Sequence, residues 1–287
     1  MASTGQLAGQ WSTRVIELIQ QVQETQAEAI ATAAHWCGDA IASGGLAHMF
    51  GSGHSRMAVE EMFPRYGSYP GFHPIVELST TFHTQVVGAN GQRQAMYVER
   101  TSGLADVVLS NFAFGHRDVM IVFSVSGTST VAVEMAQGAK SRGLRTVAVT
   151  SVPHSSVSRS PTGTTLREVA DLVIDIGTPP GDALVQVPGL DTPVGPGSTA
   201  VTVAVVNELK VQTAELLVAR GVHLPVLTSA VIVGNERSAE LFDAAYDEHA
   251  RRVATAIGGA GAARAEARAG RAAKLPMVER PERPTAT

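Results

Sequence analysis

The chain has 287 residues, of which 44% are hydrophobic and 17% are charged, and its formal net charge is −4. This length and apolar content suit one sizeable α/β domain with extensions or two small domains, and the negative charge argues against a general nucleic-acid-binding face. Cys37 is the one cysteine, so no intrachain disulfide can form, and we expect it to be a small core residue. The chain has no signal-peptide pattern and no apolar run long enough to cross a bilayer, which predicts a cytoplasmic protein with no membrane partner.

The first predicted element is a long helix over Leu7–Ile41, with an apolar stripe from Val15 to Val22 at helical spacing and a break near Thr25. Such a helix packs either on its own domain or on a neighbouring subunit. We take residues 1–39 as an N-terminal helical segment.

Short apolar runs then alternate with helical stretches. The predicted strands are Leu46–Phe50, His73–Leu78, Asp118–Phe123, Arg145–Thr150 and Asp171–Ile176. The predicted helices are Ser55–Tyr66 with an interruption at Pro64, Ser102–Phe112, Ser129–Arg142 and Ala200–Arg220. This alternation is typical of a parallel sheet covered by helices on both faces, whose ligands bind beyond the carboxyl ends of the strands.

Two regions between these elements have no regular pattern. Thr81–Arg93 contains His83 and the turn Gly88–Gly91, and we place it on a loop near the site. The Gly/Pro-rich stretch between Ile176 and Gly195 is a surface loop, a small hairpin or a lid.

Two loops rich in small hydroxyl residues follow predicted strands. Phe50–Ser55 reads Phe-Gly-Ser-Gly-His-Ser, and Ser124–Ser129 reads Ser-Val-Ser-Gly-Thr-Ser. Turns of this kind between a strand and a helix expose backbone N–H groups at the positive end of the helix dipole, and hydroxyl groups add further donors. Two such loops in one chain predict a pocket for a phosphorylated small molecule.

A third helix start carries hydroxyl groups. Ser198 or Thr199 is a natural N-cap for the helix over Ala200–Arg220, and Gly221 is a natural stop. The predicted phosphosugar-binding residues are Ser52, Gly53, Ser55, Ser124, Ser126, Gly127, Thr128, Ser129, Ser198 and Thr199.

The order strand, Gly-x-Gly-x-Ser, helix, strand, Ser-x-Ser-Gly-x-Ser/Thr, helix resembles the sugar isomerase (SIS) domain. This domain is a three-layer, parallel-sheet α/β module of flavodoxin-like or Rossmann-like type that binds phosphosugars. The resemblance spans Ala40–Arg220, and phosphoheptose isomerase, the isomerase domain of glutamine–fructose-6-phosphate transaminase and N-acetylmuramic acid 6-phosphate etherase share the domain. The stretch Gly-His-Ser-Arg-Met-x-x-Glu-Glu-Met-Phe is most similar to bacterial proteins with a single SIS domain.

The resemblance also implies roles for individual residues. Ser55 matches the serine that faces the sugar, and the start of the late helix at Ser198 and Thr199 resembles that of the etherase. Phosphate-contacting hydroxyl groups are implied at Ser124, Ser126 and Ser129. Glu61 and Arg65 stand where phosphoheptose isomerases carry a His/Glu metal set, so we expect no metal and no cofactor.

Isomerisation or elimination needs a base whose pKa is raised by burial, opposite a donor that stabilises oxyanion charge. Glu61, on the helix after the first loop, is the predicted catalytic carboxylate. Glu60 points about 100° away, and both could be solvated helix charges. His54 lies inside the first loop and is the predicted acid or ring opener, with His83 and His154 as further candidates; a loop histidine is otherwise a surface residue.

The predicted function is phosphosugar binding by a sugar-phosphate isomerase that acts on an amino- or N-acetyl-hexose phosphate through a carboxylate base. An etherase-like lyase, a non-catalytic phosphosugar sensor and a nucleotide-binding Rossmann protein remain open, although the first loop lacks a full Gly-x-Gly-x-x-Gly. We expect a homodimer or tetramer with no nucleic-acid partner. We divide the rest of the chain into an SIS domain at 40–222, a C-terminal helical extension at 223–256 and a disordered tail at 257–287.

Overall fold

The computed structural model of the protein describes residue 5, residues 7–81 and residues 91–258. Two N-terminal helices, α1 (Gln10–Thr25) and α2 (Ala27–Ala42), replace the single long helix. They meet at Gln26, whose φ of −116° and ψ of 5° are not helical. The predicted break near Thr25 is therefore confirmed.

Five parallel strands form the central sheet, in the order β2-β1-β3-β4-β5. They are β1 (Ala47–Gly51), β2 (Phe72–Ile75), β3 (Val119–Phe123), β4 (Arg145–Thr150) and β5 (Leu172–Asp175). The predicted parallel α/β fold is confirmed. The predicted strand over His73–Leu78 is too long, because the chain leaves the sheet after Ile75 and Leu78 begins a helix.

Helices surround this sheet, and a two-stranded antiparallel hairpin occupies the Gly/Pro-rich stretch. The helices are α3 (Arg56–Met62), α4 (Leu78–Thr81), α5 (Gly91–Val98), α6 (Leu104–Leu109), α7 (Thr130–Ser141), α8 (Val152–Val157), α9 (Leu166–Val169), α10 (Ser198–Ala219), α11 (Ala230–Val233) and α12 (Asn235–Gly258). The hairpin strands are β6 (Ala183–Val185) and β7 (Val194–Pro196).

The sheet separates two apolar cores, which gives the expected three layers. Side chains alternate along a strand, so Ile121 of β3 packs with residues of α2, α3 and α10, whereas Met120 and Val122 pack with α6 and α7. Cys37 of α2 is fully buried in the first core, and burial raises the pKa of its thiol to about 12. The boundary proposed at residue 39 thus falls inside a helix that covers the sheet.

The C-terminal helix α12 returns to the body of the protein. The Arg252 guanidinium donates to the carbonyl oxygens of Ile41 at 2.9 Å and Gly45 at 2.8 Å, and Ala256 is 2% exposed. Residues 259–287, most of the predicted tail, lie outside the described residues. Among the helices described, none has both the length and the apolar character needed to cross a membrane.

A polar chain is buried on the face of the sheet that packs with α6 and α7. His48 of β1 and His73 of β2 are register partners, and their Nδ1 atoms lie 2.9 Å apart. His48 Nε2 lies 3.1 Å from the Asp118 carboxylate, to which it must donate its proton. Only one proton fits between the two Nδ1 atoms, so one ring donates there and the other accepts.

Candidate functional site

The two hydroxyl-rich loops lie side by side because β1 and β3 are neighbours in the sheet. Gly51 at the end of β1 pairs with Phe123 at the end of β3, and each loop follows directly. A Cβ atom on Gly51 would lie 2.5 Å from the Ser55 carbonyl oxygen. Glycine at this position therefore allows the first loop to turn back over the strand end.

A cavity of about 380 Å³ opens between these loops, and we call it the loop cavity. The first loop, the second loop, α5 with the residue after it, and α8 all contribute side chains. Its lining residues are Ser52, Gly53, His54, Ser55, Gln92, Ala95, Met96, Glu99, Ser124, Val125, Ser126, Ser129 and His154. Six of the predicted binding residues and the predicted catalytic His54 are thus brought together.

Hydrogen bonds within the second loop fix its shape. Gly127 has a φ of +62°, and a Cβ atom there would lie 2.9 Å from the Thr150 hydroxyl oxygen. Ser124 Oγ accepts the Gly127 N–H at 3.2 Å, and Ser126 Oγ accepts the Thr128 hydroxyl at 3.1 Å. Both serines use acceptor capacity here and retain an O–H to donate to a ligand. Gly127 and Thr128 are not among the residues that line the loop cavity, and their contact with a ligand stays a prediction.

Unpartnered polar atoms collect beside the second loop. Ser129 Oγ and His154 Nδ1 both belong to lining residues, and both atoms are buried without a hydrogen-bond partner. Thr130 Oγ1 and Ser155 Oγ are in the same situation close by in the chain. Leaving such an atom unpaired costs about 1–3 kcal/mol, so Ser129 and His154 are the lining residues with a buried polar atom that still lacks a partner.

Glu99 is the functional candidate that the sequence analysis missed. Ser52 Oγ donates to Glu99 Oε2 at 2.8 Å across 47 residues of chain, and the Glu99 carbonyl oxygen accepts the Val131 N–H of α7 at 2.9 Å. The residue is therefore connected to the first loop and to the first turn of α7, the helix that follows the second loop. Among the described residues that line the loop cavity, it contributes the one carboxylate.

Glu61 lies in a different cavity. This second cavity, of about 640 Å³, lies between α3, α10 and α12, and we call it the aromatic cavity. Its lining residues are Met57, Glu60, Glu61, Pro64, Arg65, Tyr66, Thr199, Val203, Leu227, Phe242 and Tyr246.

The surroundings of Glu61 favour its charged form. Burial alone would raise the pKa of its carboxyl group, but hydrogen bonds from Asn207 and Arg65 and the charges of Arg65 and Lys210 together lower that pKa. The Asn207 amide donates to Glu61 Oε1 at 3.0 Å, and Arg65 pairs with the other oxygen. The expected rise in the pKa of Glu61 is therefore wrong.

The N-terminus of α10 already faces a carboxylate. Asp182 Oδ1 accepts the Ser198 N–H at 2.8 Å, and Asp182 Oδ2 accepts the Ser198 hydroxyl at 2.5 Å. Gly197, not Ser198, is the N-cap residue. Ser198 and Thr199 line a narrow gap of about 20 Å³ beside His54 and not the loop cavity, and their contact with a phosphosugar stays a prediction.

The hairpin that carries Asp182 is fixed to the body of the protein. Trp11 of α1 donates its indole N–H to the Pro196 carbonyl oxygen at 3.1 Å, and a Cβ atom on Gly195 would lie 2.6 Å from the Trp11 ring. The residues that line the loop and aromatic cavities come from other segments. Of the three alternatives for this stretch, the small hairpin is confirmed.

The histidine candidates separate clearly. His54 is exposed at the mouth of the loop cavity, and His154 is partly buried in its wall. His83 lies outside the described residues. Within the described ranges, no three His, Cys, Asp or Glu side chains are grouped as a metal ion would require.

Comparisons with known proteins agree with this architecture. The model of the SIS domain matches residues 10–151. A UPF0309 protein of Streptomyces griseus is 34% identical over 234 residues, which cover 81% of this chain and 92% of the relative. A UPF0309 protein of Halalkalibacterium halodurans is 35% identical over 219 residues, which cover 76% of this chain and 88% of the relative.

The structure is also similar to that of a phosphoheptose isomerase from Francisella tularensis. The TM-score is 0.48 at 13% identity, over 74% of this chain and 99% of that chain. The resemblance to the SIS domain that the two loops carry is confirmed by the family match. With relatives above 30% identity over most of their length, the chain belongs to the UPF0309 family of SIS-domain proteins.

Proposed function

We propose that the protein binds a phosphosugar in the loop cavity and isomerises it between aldose and ketose forms. The observation that carries this proposal is the Glu99 carboxylate, which accepts the Ser52 hydroxyl at 2.8 Å within the cavity that both hydroxyl-rich loops line. Membership of the SIS-domain family supports phosphosugar binding. A volume of about 380 Å³ lies in the usual range for small-molecule sites.

The phosphate group binds the second loop in this proposal. Ser129 is the N-cap of α7, whose N-terminus carries partial positive charge, and its Oγ atom is buried without a partner. Ser124 and Ser126 each retain an O–H donor beside it. Charge-assisted hydrogen bonds from such donors to a phosphate are stronger than those between neutral groups.

Glu99 is the proposed base. It removes the proton from C2 of the open-chain aldose phosphate, and the electron pair forms the C1–C2 double bond of an enediol as the C1 carbonyl oxygen takes up a proton. Glu99 then protonates C1 while the C2 hydroxyl loses its proton, which gives the ketose. The proton held by Glu99 exchanges with solvent while the enediol is bound. The bound phosphate holds the sugar carbons against the opposite wall, where Ser52 orients the carboxylate. His54 and His154 line the same cavity and are the proposed groups for ring opening.

Solvent deuterium exchange at C2 of hexose 6-phosphates, measured by NMR, tests the assignment of the base. Glu99→Gln keeps the shape and the hydrogen bond from Ser52 but removes the basicity, so exchange should fall by about a hundredfold or more while binding remains. Glu61→Gln is the matched control, since its carboxylate lies in the aromatic cavity. Normal exchange in Glu99→Gln together with its loss in Glu61→Gln would restore the sequence-based choice of Glu61.

The same experiment separates the two alternatives. An etherase-like lyase would use the carboxylate for elimination, so C2 exchange would be accompanied by release of an ether substituent. A sensor needs no base, so a sugar phosphate that binds without any exchange in the wild type would favour sensing. The carboxylate beside the hydroxyl loops is the feature that favours chemistry over sensing.

Self-association is a further part of the proposal. The helix α11 exposes two adjacent apolar side chains, Val231 by 90% and Ile232 by 77%, and such side chains can form a contact between copies. We expect a homodimer or tetramer, which sedimentation velocity on the full chain tests directly. A single monomeric species at high protein concentration would contradict it.

A further inference from the structure

The aromatic cavity has the composition of a saccharide site. Three aromatic rings line one side: the Phe242 centroid lies 5.6 Å from that of Tyr66 and 6.0 Å from that of Tyr246. Tyr66 is 58% exposed and Tyr246 is 45% exposed, so both rings present surface to an occupant. Aromatic side chains with a polar end suit ligands that are apolar on one face and hydroxylated at the edge, as a sugar ring is.

The polar groups of this cavity are paired with one another, which argues for a neutral ligand. Glu61 pairs with Arg65, and Glu60 pairs with Arg56 at 3.3 Å. Lys210 lies behind these groups, and its ammonium donates to the Glu61 carbonyl oxygen at 2.8 Å. An anion would meet two carboxylates, and a cation would find both already neutralised.

Hydroxyl groups can still bind to this paired network. A carboxylate that accepts one hydrogen bond on each oxygen has lone pairs left, and the Thr199 hydroxyl also lines the cavity. The carboxylates of Glu60 and Glu61 can accept hydrogen bonds from the hydroxyl groups of a sugar, and the Arg65 guanidinium can donate to a neighbouring hydroxyl of the same sugar. A purely apolar ligand would displace water from these polar groups without replacing its hydrogen bonds, which would cost binding free energy.

The aromatic cavity is also adjacent to the proposed phosphosugar site. Thr199 lines both the aromatic cavity and the narrow gap beside α10, whereas His54 and Ser55 line both that gap and the loop cavity. A row of shared side chains therefore separates one cavity from the other. The gap along this row has only about 20 Å³, so one ligand with a phosphorylated sugar and a second, neutral sugar spans it when these side chains move apart.

We propose that the aromatic cavity is a binding site for a neutral sugar ring, and that this ring is a glycosyl unit of the phosphosugar substrate. The second half of the proposal rests on the proposed function, because it needs a phosphosugar in the loop cavity. A free neutral sugar, not linked to a phosphosugar, is the other ligand that could supply such a ring.

Saturation-transfer NMR on the full chain tests the cavity with maltose, cellobiose, trehalose and diacetylchitobiose. At least one of these should bind the wild type, and Tyr246→Ala and Tyr66→Ala should each weaken that binding by about tenfold. Tyr97→Ala is the matched control, since Tyr97 is 77% exposed and lines neither cavity. Two exposed tyrosines in separate elements keep the test valid if one variant folds poorly.

Calorimetry with glucose 6-phosphate and trehalose 6-phosphate identifies the source of the ring. Trehalose 6-phosphate should bind more tightly than glucose 6-phosphate, and Tyr246→Ala should remove that advantage. Equal affinities together with Tyr246-dependent binding of a neutral disaccharide would assign the site to a free sugar and overturn the glycosyl-unit assignment.

The failures of the two proposals are distinguishable. Binding of glucose 6-phosphate without any signal from the neutral disaccharides and without a trehalose 6-phosphate advantage would overturn the saccharide site and leave the proposed function standing. A Tyr246-dependent disaccharide signal without binding of either sugar phosphate would overturn the proposed function and the shared ligand. If Tyr66→Ala dissociates an oligomer and no disaccharide binds, the cavity is an interface between copies and not a sugar site.

Discussion

The buried His48–His73 pair should make folding stability depend on pH in a defined window. Burial lowers the pKa of His73 to about 3, the charges of His48 and His249 act in the same direction, and Asp118 acts against them. The ordinary value is 6.5, so between the two values the unfolded chain binds a proton that the folded chain does not. The free energy of unfolding must therefore fall as the pH falls through this window.

The magnitude follows from the shift. Inside the window, each pH unit lowers the free energy of unfolding by about 1.4 kcal/mol for one proton. Between pH 7 and pH 5 the loss is about 2 kcal/mol, because the part of that interval above 6.5 contributes little. His73 is 6% exposed, so solvent screening leaves most of this effect in place. That is a large share of the stability of an ordinary domain.

Urea denaturation of the wild type and of His73→Asn at pH 7 and pH 5 measures this contribution of His73 to the free energy of unfolding. Asparagine does not titrate and offers His48 both an N–H donor and a carbonyl acceptor, so the loss of unfolding free energy between pH 7 and pH 5 should shrink by about 2 kcal/mol. His116→Asn, at an exposed position, is the control and should keep the wild-type dependence. An equal loss in His73→Asn and the wild type would refute the reasoning and assign the acid sensitivity to other groups, such as His249, whose pKa burial also lowers.

Three further substitutions test the loops and the start of α10. Ser126→Ala should weaken binding of any hexose phosphate that the wild type binds by about ten- to a hundredfold in calorimetry, and unchanged affinity would remove Ser126 from the site. Gly127→Ala should lower the free energy of unfolding in urea by about 1–3 kcal/mol, because alanine disfavours a φ of +62° and its Cβ atom would approach Thr150. An unchanged free energy of unfolding would contradict that strain. Asp182→Asn should lower the free energy of unfolding by about 1 kcal/mol, because it removes the negative charge from the α10 N-terminus. A stabilised variant would show that this charge is unfavourable.

The parts of the site that could be predicted are those encoded by neighbouring residues. Gly51 and the hydroxyl residues after it mark a strand end and a helix start within a few positions, and the same holds for the run from Ser124 to Ser129. Parallel strands bring all such ends to one edge, so local patterns were enough to place the two loops together. Thr128 shows the limit of such patterns, since the sequence identifies the loop but not which of its hydroxyl groups line the cavity.

Glu99 and Asp182 could not be found this way, because each acts on residues far along the chain. Glu99 reaches Ser52 only because α5 folds over the end of β1, and nothing near Glu99 in the sequence encodes that approach. Asp182 reaches Ser198 through a hairpin whose two strands contain only three residues each. The same cause explains the position of Glu61. Helical spacing puts it one or two turns beyond the first loop, but packing of α3 against α10 turns its carboxylate towards Asn207 and into the aromatic cavity. A carboxylate near a phosphate loop in sequence is therefore weaker evidence for a base than one hydrogen-bonded to that loop, which is why the comparison of Glu99→Gln with Glu61→Gln decides the assignment of the base.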